Sequence, residues 1–570
     1  VQVVLQVFKL NTYQHLAVNN YGKAKRILTL CFFMKYIYLA SAFFCLLAWL
    51  LPNHYQPWLS FYQDTSMFVA TLILSSTFLV YEKIKIPYIS FFLLIIACIP
   101  FIQYLLNIIY YLGDAIIISV YLLGFFSVFV GGYNIGELKD DNKEKIIQTF
   151  IILILIASII SVWIQLHQWL MFSGSIWIVD LPPNGRPFAN MGQPNQLATL
   201  IIMGEISLLY LYEKSKINSV VAIFSAFFLL FGVALTQSRT SWVFLLCFCL
   251  WWIIKSKSIT LRLHPAYLVF WIFIFLSFWI YLPYISNFLG VSNLQTVSDR
   301  VTTGLDRLGQ WKQIILIIKE SPFWGYGWGQ LNVAQLTNET KLLKYPIFGF
   351  SHNLLLDLIV WNGIFIGCIL ISVISIFIIK LIFEKKDKES IVIISMVGAL
   401  LVHSFFEYPF AYAYFLFPLG FLLGVLSSGV FNYFYLSRNC YFVYLSLCLI
   451  LFAILISDYK EVESKHELMR YENAKLRNVD LINVGSDFIL FDQLNDYIWF
   501  VRQPIGSTKN NMELERMRKV AYRFPDRPLI YKYLKILYVN GRHYEAAHVL
   551  KLYNAFYKQN LSLNDIKNKL

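Results

Sequence analysis

The chain has 570 residues, of which 58% are hydrophobic and 14% charged, whereas a soluble domain carries about 25% charged residues. Its net charge of +14 is spread over loops and tail instead of forming one patch, so nucleic acid is not the expected partner and the loop charges fit a membrane protein. The eight cysteines lie in or beside apolar stretches with no CxxC pair and no zinc spacing, and are expected to pack as small hydrophobes.

Residues 1–28 lack the layout of a signal peptide, and Val1 is not a start methionine. Apolar runs long enough to cross a hydrocarbon core, which takes about 20 helical residues, then recur to residue 457. They predict about thirteen helices, at residues 29–51, 65–81, 86–106, 114–133, 146–171, 194–212, 217–236, 240–254, 265–289, 353–380, 390–406, 410–430 and 439–457. With a cytoplasmic N-terminus, the inner loops hold Lys83, Lys85, Lys139, Lys143, Lys145, Lys214, Lys216, Lys255, Lys257, Arg262, Lys380, Lys385, Lys386, Lys388 and Arg438. The short outer loops then hold only Arg186 and Arg239. The expected fold is all-α: a polytopic membrane domain over 1–457, with a large outer loop at about 290–352, and a soluble helical tail over 458–570 on the outer face. Within the tail, Leu534, Leu537, Tyr538, Gly541, Tyr544, Ala546, Ala547 and Leu550 follow the rhythm of a tetratricopeptide-like hairpin at about 512–557; an ordinary helical hairpin fits as well.

The polar motifs fall on the outer side. Arginine at a membrane border is costly unless paired or wetted. Arg186, within Pro182–Asn190, and Arg239, within Gln237–Ser241, are therefore candidates for an anion site, since a guanidinium matches phosphate oxygens bidentately; snorkelling to headgroups is the bland alternative. Arg300 and Arg307 follow in two Asp-Arg pairs seven residues apart, on one face if helical, and local ion pairs account for them equally well. The segment Trp324–Gln330 alternates glycine with aromatic residues, which suits a tight turn with exposed rings for sugars or for anchoring at the membrane border. His352, where the outer loop meets a span, is the candidate catalytic base, because imidazole titrates near neutral pH. A second group is His403, Glu407 and Tyr408, with Glu407 suited to orient a histidine or hold an arginine and Tyr408 to donate to phosphate or sugar. The outer loops show no carboxylate cluster for a hard metal and no GxSxG elbow. Acids inside the spans are sparse, Glu205 and Asp357 being the main ones, which disfavours a proton-driven transporter.

These residues resemble a known family. Asn190-Met191-Gly192-Gln193-Pro194-Asn195-Gln196-Leu197-Ala198 looks like the signature of PglL-type bacterial protein O-oligosaccharyltransferases. Ser351–Leu354 through Asn362-Gly363 resembles the core motif shared with O-antigen ligases and polymerases. His403–Pro409, followed by Ala413-Tyr414-Phe415, again resembles the PglL branch. The resemblance implies a GT-C-type glycosyltransferase of the bacterial inner membrane, its active site and C-terminal tail periplasmic, working without metal or other cofactor. The donor would be an oligosaccharide on undecaprenyl diphosphate and the acceptor a Ser or Thr of an exported protein such as a pilin. It implies His352 as base, Arg239 and Arg300 or Arg307 as diphosphate binders, and Gln193, Gln196 and Tyr408 lining the site; Arg186 is a further candidate diphosphate binder, and Asn190, Asn195, His403 and Glu407 are further candidates for the substrate pocket. An O-antigen ligase or polymerase with a sugar acceptor, and a transporter of lipid-linked sugar, stay open as alternatives.

Overall fold

The computed structural model describes residues 21–172, 174–182, 185–291, 306–338, 346–476 and 490–568. Chain order gives α1 (Tyr21–Leu50), α2 (Phe61–Ser76), β1 (Lys83–Pro87), α3 (Phe91–Leu105), α4 (Leu112–Gly136), α5 (Asp140–Trp169), α6 (Pro194–Glu213), α7 (Ser219–Leu235), α8 (Thr240–Ser256) and α9 (Ala266–Leu289). There follow α10 (Asp306–Glu320), α11 (Leu331–Thr337), α12 (Leu354–Glu384), α13 (Lys388–Ser404), α14 (Ala413–Ser427), β2 (Tyr433–Ser437) and α15 (Arg438–Asn473). The tail comprises α16 (Asp492–Arg502), α17 (Asn511–Arg523), α18 (Arg527–Val539), α19 (His543–Tyr557) and α20 (Leu563–Asn568).

Each of the thirteen expected segments falls on a helix. Among the described residues, seven helical segments of 18 residues or more are apolar enough to cross a membrane, and four shorter apolar helices accompany them. Large hydrophobic side chains on these helices face outward, with Phe288 89% and Ile376 66% exposed, as lipid-facing side chains should be when every backbone polar group is satisfied within its own helix. The chain is a multi-pass membrane protein.

The fold is helical as expected, with one short strand pair in addition among the described residues. Lys83–Pro87 pairs antiparallel with Tyr433–Ser437, from Lys83 opposite Ser437 to Pro87 opposite Tyr433. The Lys-Ile-Lys-Ile alternation drives it, because a period of two puts Ile84 and Ile86 on one buried face and both lysines on the other. Lys85 bonds Glu137 at 2.7 Å and lies over the Tyr433 ring.

The described residues form two compact units. The first is Val1–Leu93 with Leu123–Thr303 and Phe377–Leu449; the second is Leu94–Leu122 with Gly304–Ile376 and Ile450–Leu570. At the centre of the first lies α6, buried along most of its length and packed against α5, α7, α8 and α13. In the second, α16–α20 share a core of Phe500, Met517, Leu534, Leu537, Ala546 and Leu552, joined by Tyr111, Val333 and Leu336. Arg523 grips Asp114 bidentately at 2.7 and 2.9 Å. Asp492 accepts from the amides of Leu112 and Gly113, the otherwise unpaired first donors of α4, at 3.0 and 2.8 Å. Burial raises the Asp492 carboxyl above its usual range, against the opposing pull of those amides.

Candidate active site

In the first unit, the segment before α6 is shaped by a side chain at the end of α5. The Gln168 carboxamide accepts from the amides of Phe188 (3.0 Å) and Ala189 (2.7 Å) and donates to the carbonyls of Val179 (2.7 Å) and Ala189 (2.8 Å). Ala189 is thereby held at φ +52°, a left-handed conformation uncommon for alanine. Asn190 is buried and spends its side chain on backbone, donating to Leu50 and Trp177 and accepting from Val179. That is a framework task, where the sequence suggested a pocket-lining one. The two His54 ring nitrogens face the carbonyls of Asn190 (2.9 Å) and Leu59 (3.2 Å). Gly192, at φ +73°, lies so close to His54 that an added Cβ would come within 3.1 Å of the ring.

Gln193 caps α6 in extended conformation, and Pro194 at the first helical position fixes the turn. This aims three amide side chains at the segment after α13. Asn195 donates to Glu407 Oε1 at 2.7 Å and Gln193 to Glu407 Oε2 at 3.4 Å. Gln196 accepts from the Tyr414 hydroxyl at 2.8 Å. One turn on, Thr199 bonds His403 Nδ1 at 2.8 Å. Glu407 is only 2% exposed, so its carboxylate is tolerable because donors meet both oxygens. The rings of Tyr408, Tyr412 and Tyr414 stack in a ladder with centroids 6.0 and 5.2 Å apart. The two segments that resemble the PglL branch thus meet side chain to side chain.

Arg186 Nη1 donates to the carbonyls of Thr236 (3.2 Å) and Gln237 (3.3 Å) just past α7, where the helix dipole favours a cation. This ties the Arg186 loop to the turn bearing Arg239. Arg239 stands immediately before α8, whose first amides add positive potential. The hydroxyls of Ser238 and Ser241 beside it are buried and lack a partner among the described residues.

In the second unit, His352 occupies a tight turn at φ +56°, a conformation that costs about 1–3 kcal/mol and persists only when its surroundings enforce it. They do so here. Asn353 caps α12, its Oδ1 accepting from the amides of Leu355 and Leu356 at 3.0 and 3.3 Å. The Ser351 amide donates to Asp357 Oδ1 at 2.8 Å, and the Ser351 hydroxyl donates to the Asn353 carbonyl at 2.7 Å. The Trp311 indole on α10 donates to the Ser351 carbonyl at 3.0 Å. Arg307 lies one turn before Trp311 on the same face of α10. Arg300 lies outside the described residues.

The glycine-aromatic segment does something the sequence did not suggest. α12 breaks at Gly363 (φ +76°), and the carbonyls of Val360 and Trp361 accept from the amides of Tyr326 (2.8 Å) and Gly327 (3.1 Å), while the Ile364 amide donates to Pro322 (2.7 Å). An added Cβ on Gly363 would meet the Phe323 carbonyl at 2.1 Å. Trp324 is exposed, as expected of a surface ring, but Trp328 is buried, stacked on Trp361 and bonded to Asn362 at 2.7 Å. The segment locks the broken helix that follows the His352 turn.

Comparison with known proteins places this geometry. Residues 187–212 match the protein glycosylation ligase family, residues 224–372 the O-antigen ligase family, and residues 391–567 the family described as virulence factor membrane-bound polymerase, C-terminal. The chain is 32% identical to the ComP-specific O-oligosaccharyltransferase of Acinetobacter baylyi over 88% of its own length and 91% of the relative's. It is 29% identical to the general O-oligosaccharyltransferase of the same organism, over 93% and 94%. No solved structure matches it. The motif segments lie inside these matched stretches, and the chain belongs to the PglL-type protein O-oligosaccharyltransferases of the O-antigen ligase superfamily.

Proposed function

We propose that this membrane glycosyltransferase moves an oligosaccharide as a block from undecaprenyl diphosphate to a Ser or Thr hydroxyl of an exported protein, a pilin among the candidates, at the periplasmic face of the bacterial inner membrane. The observation that carries the reading is the meeting of Gln193, Asn195 and Gln196 with Glu407 and Tyr414, which joins both branch motifs in one cluster. The apolar runs support about thirteen crossings, and the distribution of lysine and arginine supports a cytoplasmic N-terminus with the tail outside.

In the reaction, the acceptor oxygen bonds the anomeric carbon from the face opposite the leaving group, inverting it. The bond from that carbon to the diphosphate oxygen breaks, and its electron pair leaves with the lipid diphosphate. The hydroxyl proton passes to the His352 imidazole, a contribution of about 10²–10⁴-fold. Arg239, with Arg300 or Arg307, neutralises the charge growing on the diphosphate, and a water-poor pocket strengthens that attraction. Arg186 takes part by holding the Arg239 turn.

The O-antigen ligase match keeps a sugar-hydroxyl acceptor as the second reading. A deletion strain separates the two. Unmodified exported protein with unchanged lipopolysaccharide supports the protein acceptor, and loss of O-antigen with normal protein glycosylation overturns it.

A further inference from the structure

The first outer loop and the start of α2 look chemically plain in the sequence, with Asp64 as the sole acid over residues 52–64. In the structure they hold the tyrosine ladder. Asp64 is 2% exposed. Its Oδ1 accepts from the Ala413 amide at 2.7 Å and its Oδ2 from the Ser60 hydroxyl at 2.6 Å. Ala413 is the first residue of α14, so its amide has no acceptor within its own helix. A carboxylate on that end also suits the helix dipole.

A second residue secures the same turn. Pro418 lies inside α14 and has no N–H, which strips the Tyr414 carbonyl of its helical donor. The Trp49 indole, 1% exposed at the end of α1, supplies the missing bond at 2.9 Å. The first turn of α14 is therefore fixed at an amide by α2 and at a carbonyl by α1. That turn carries Tyr414, and Tyr412 stands at its cap. The same loop reaches the facing segment, since His54 bonds the Asn190 carbonyl and Asn190 bonds that of Leu50.

We infer that Asp64 is a positioning residue for transfer: it caps α14 from a neighbouring helix and so sets the Tyr408–Tyr412–Tyr414 ladder against Gln196. The inference rests on the reading of the Gln193–Tyr414 cluster as substrate-facing. It touches no reacting atom. Without the cap, the turn loses its anchor and the Tyr414 hydroxyl drifts from Gln196, and a shift of about 1 Å at a positioned group costs up to about 100-fold in rate.

Two measurements on the purified full chain test this. In Asp64→Ala, hydrogen exchange of peptides spanning 408–416 speeds up while peptides of α6 keep their protection, and kcat for transfer falls about tenfold with the KM for lipid-linked donor within about threefold. Asp64→Asn keeps an oxygen for the Ala413 amide, and the Ser60 hydroxyl can turn to accept from its new N–H, so this variant recovers most of the kcat. Asp64→Ala adds no further loss in a Tyr414→Phe background. Unchanged exchange in Asp64→Ala overturns the cap itself. Faster exchange with wild-type kcat overturns its role in transfer, whereas wild-type kcat in Tyr414→Phe alone overturns the reading of the ladder as substrate-facing. Losses that multiply with Tyr414→Phe overturn the route through the ladder. If Asp64→Ala does not insert, Ser60→Ala, which removes one donor to the carboxylate, replaces it: faster exchange over 408–416 with a smaller fall in kcat supports the inference, and no change in either overturns it.

Discussion

The tyrosine ladder of the first unit and the broken helix of the second are held by different means. In the first, side chains from distant helices converge: Gln168, His54, Asp64 and Trp49 fix backbone groups far from them in sequence, and Glu407 is held between two carboxamides. At the α12 break in the second, backbone interlocks with backbone around a glycine. The break at Gly363 opens α12, and the segment before it fills the gap. A side-chain framework tolerates conservative exchange at each member, because an asparagine or glutamine can keep part of a bond. A backbone interlock does not, because a Cβ has nowhere to go.

That contrast sets the order of expected effects. Removing the proposed base in His352→Ala abolishes transfer while insertion survives, a loss of at least about 10²-fold, read as glycosylation of a co-expressed acceptor. Gly363→Ala comes next. With φ at +76° and the Phe323 carbonyl in the way, the break cannot form as it stands, and the protein is expected to lose more than about 2 kcal/mol of stability along with most of its activity, measured by thermal unfolding in detergent. In the side-chain cluster, Glu407→Gln keeps one acceptor oxygen and is milder than Glu407→Ala, which takes the acceptor from the half-buried Gln193 and Asn195 amides at about 0.5–1.5 kcal/mol for each bond lost. A Glu407→Gln variant as damaged as Glu407→Ala would show that charge, not the bonding pattern, matters there. Arg523→Ala breaks a part-buried pair with Asp114 and is expected to cost about 2 kcal/mol in the tail, with increased exchange in α17. The smallest effect is expected of Arg186→Lys, which keeps a cation at the end of α7 but loses the planar geometry; its transfer rate falls less than that of Arg239→Lys.

The same contrast explains what was legible in the sequence. Apolar helices require only length and hydrophobicity, so the thirteen segments that fall on helices were readable, and the polar motifs at their ends (Gln193, Asn195, His352, Glu407) stood out against the apolar runs. Gln168, His54 and Asp64 did not, because each serves backbone contributed by another segment and leaves no local pattern. A signal was present for Gln168, a carboxamide at the end of an apolar run. The ribbon of Lys83–Pro87 with Tyr433–Ser437 was missed because its lysines were read as topology charges, although their alternation with isoleucine is a strand pattern. In Trp324–Gln330 the glycines were read correctly as a turn, but nothing in the sequence showed that α12 would break at Gly363 and need its hydrogen bonds replaced.

The most direct test uses purified protein, undecaprenyl-diphosphate-linked oligosaccharide and a candidate acceptor protein, with no membrane gradient, followed by intact-mass analysis of the acceptor. The wild-type chain should add the mass of one whole glycan to a Ser or Thr, and His352→Ala should add none. An unmodified acceptor with wild-type protein, sugars added one at a time, or equal transfer by His352→Ala would contradict the account.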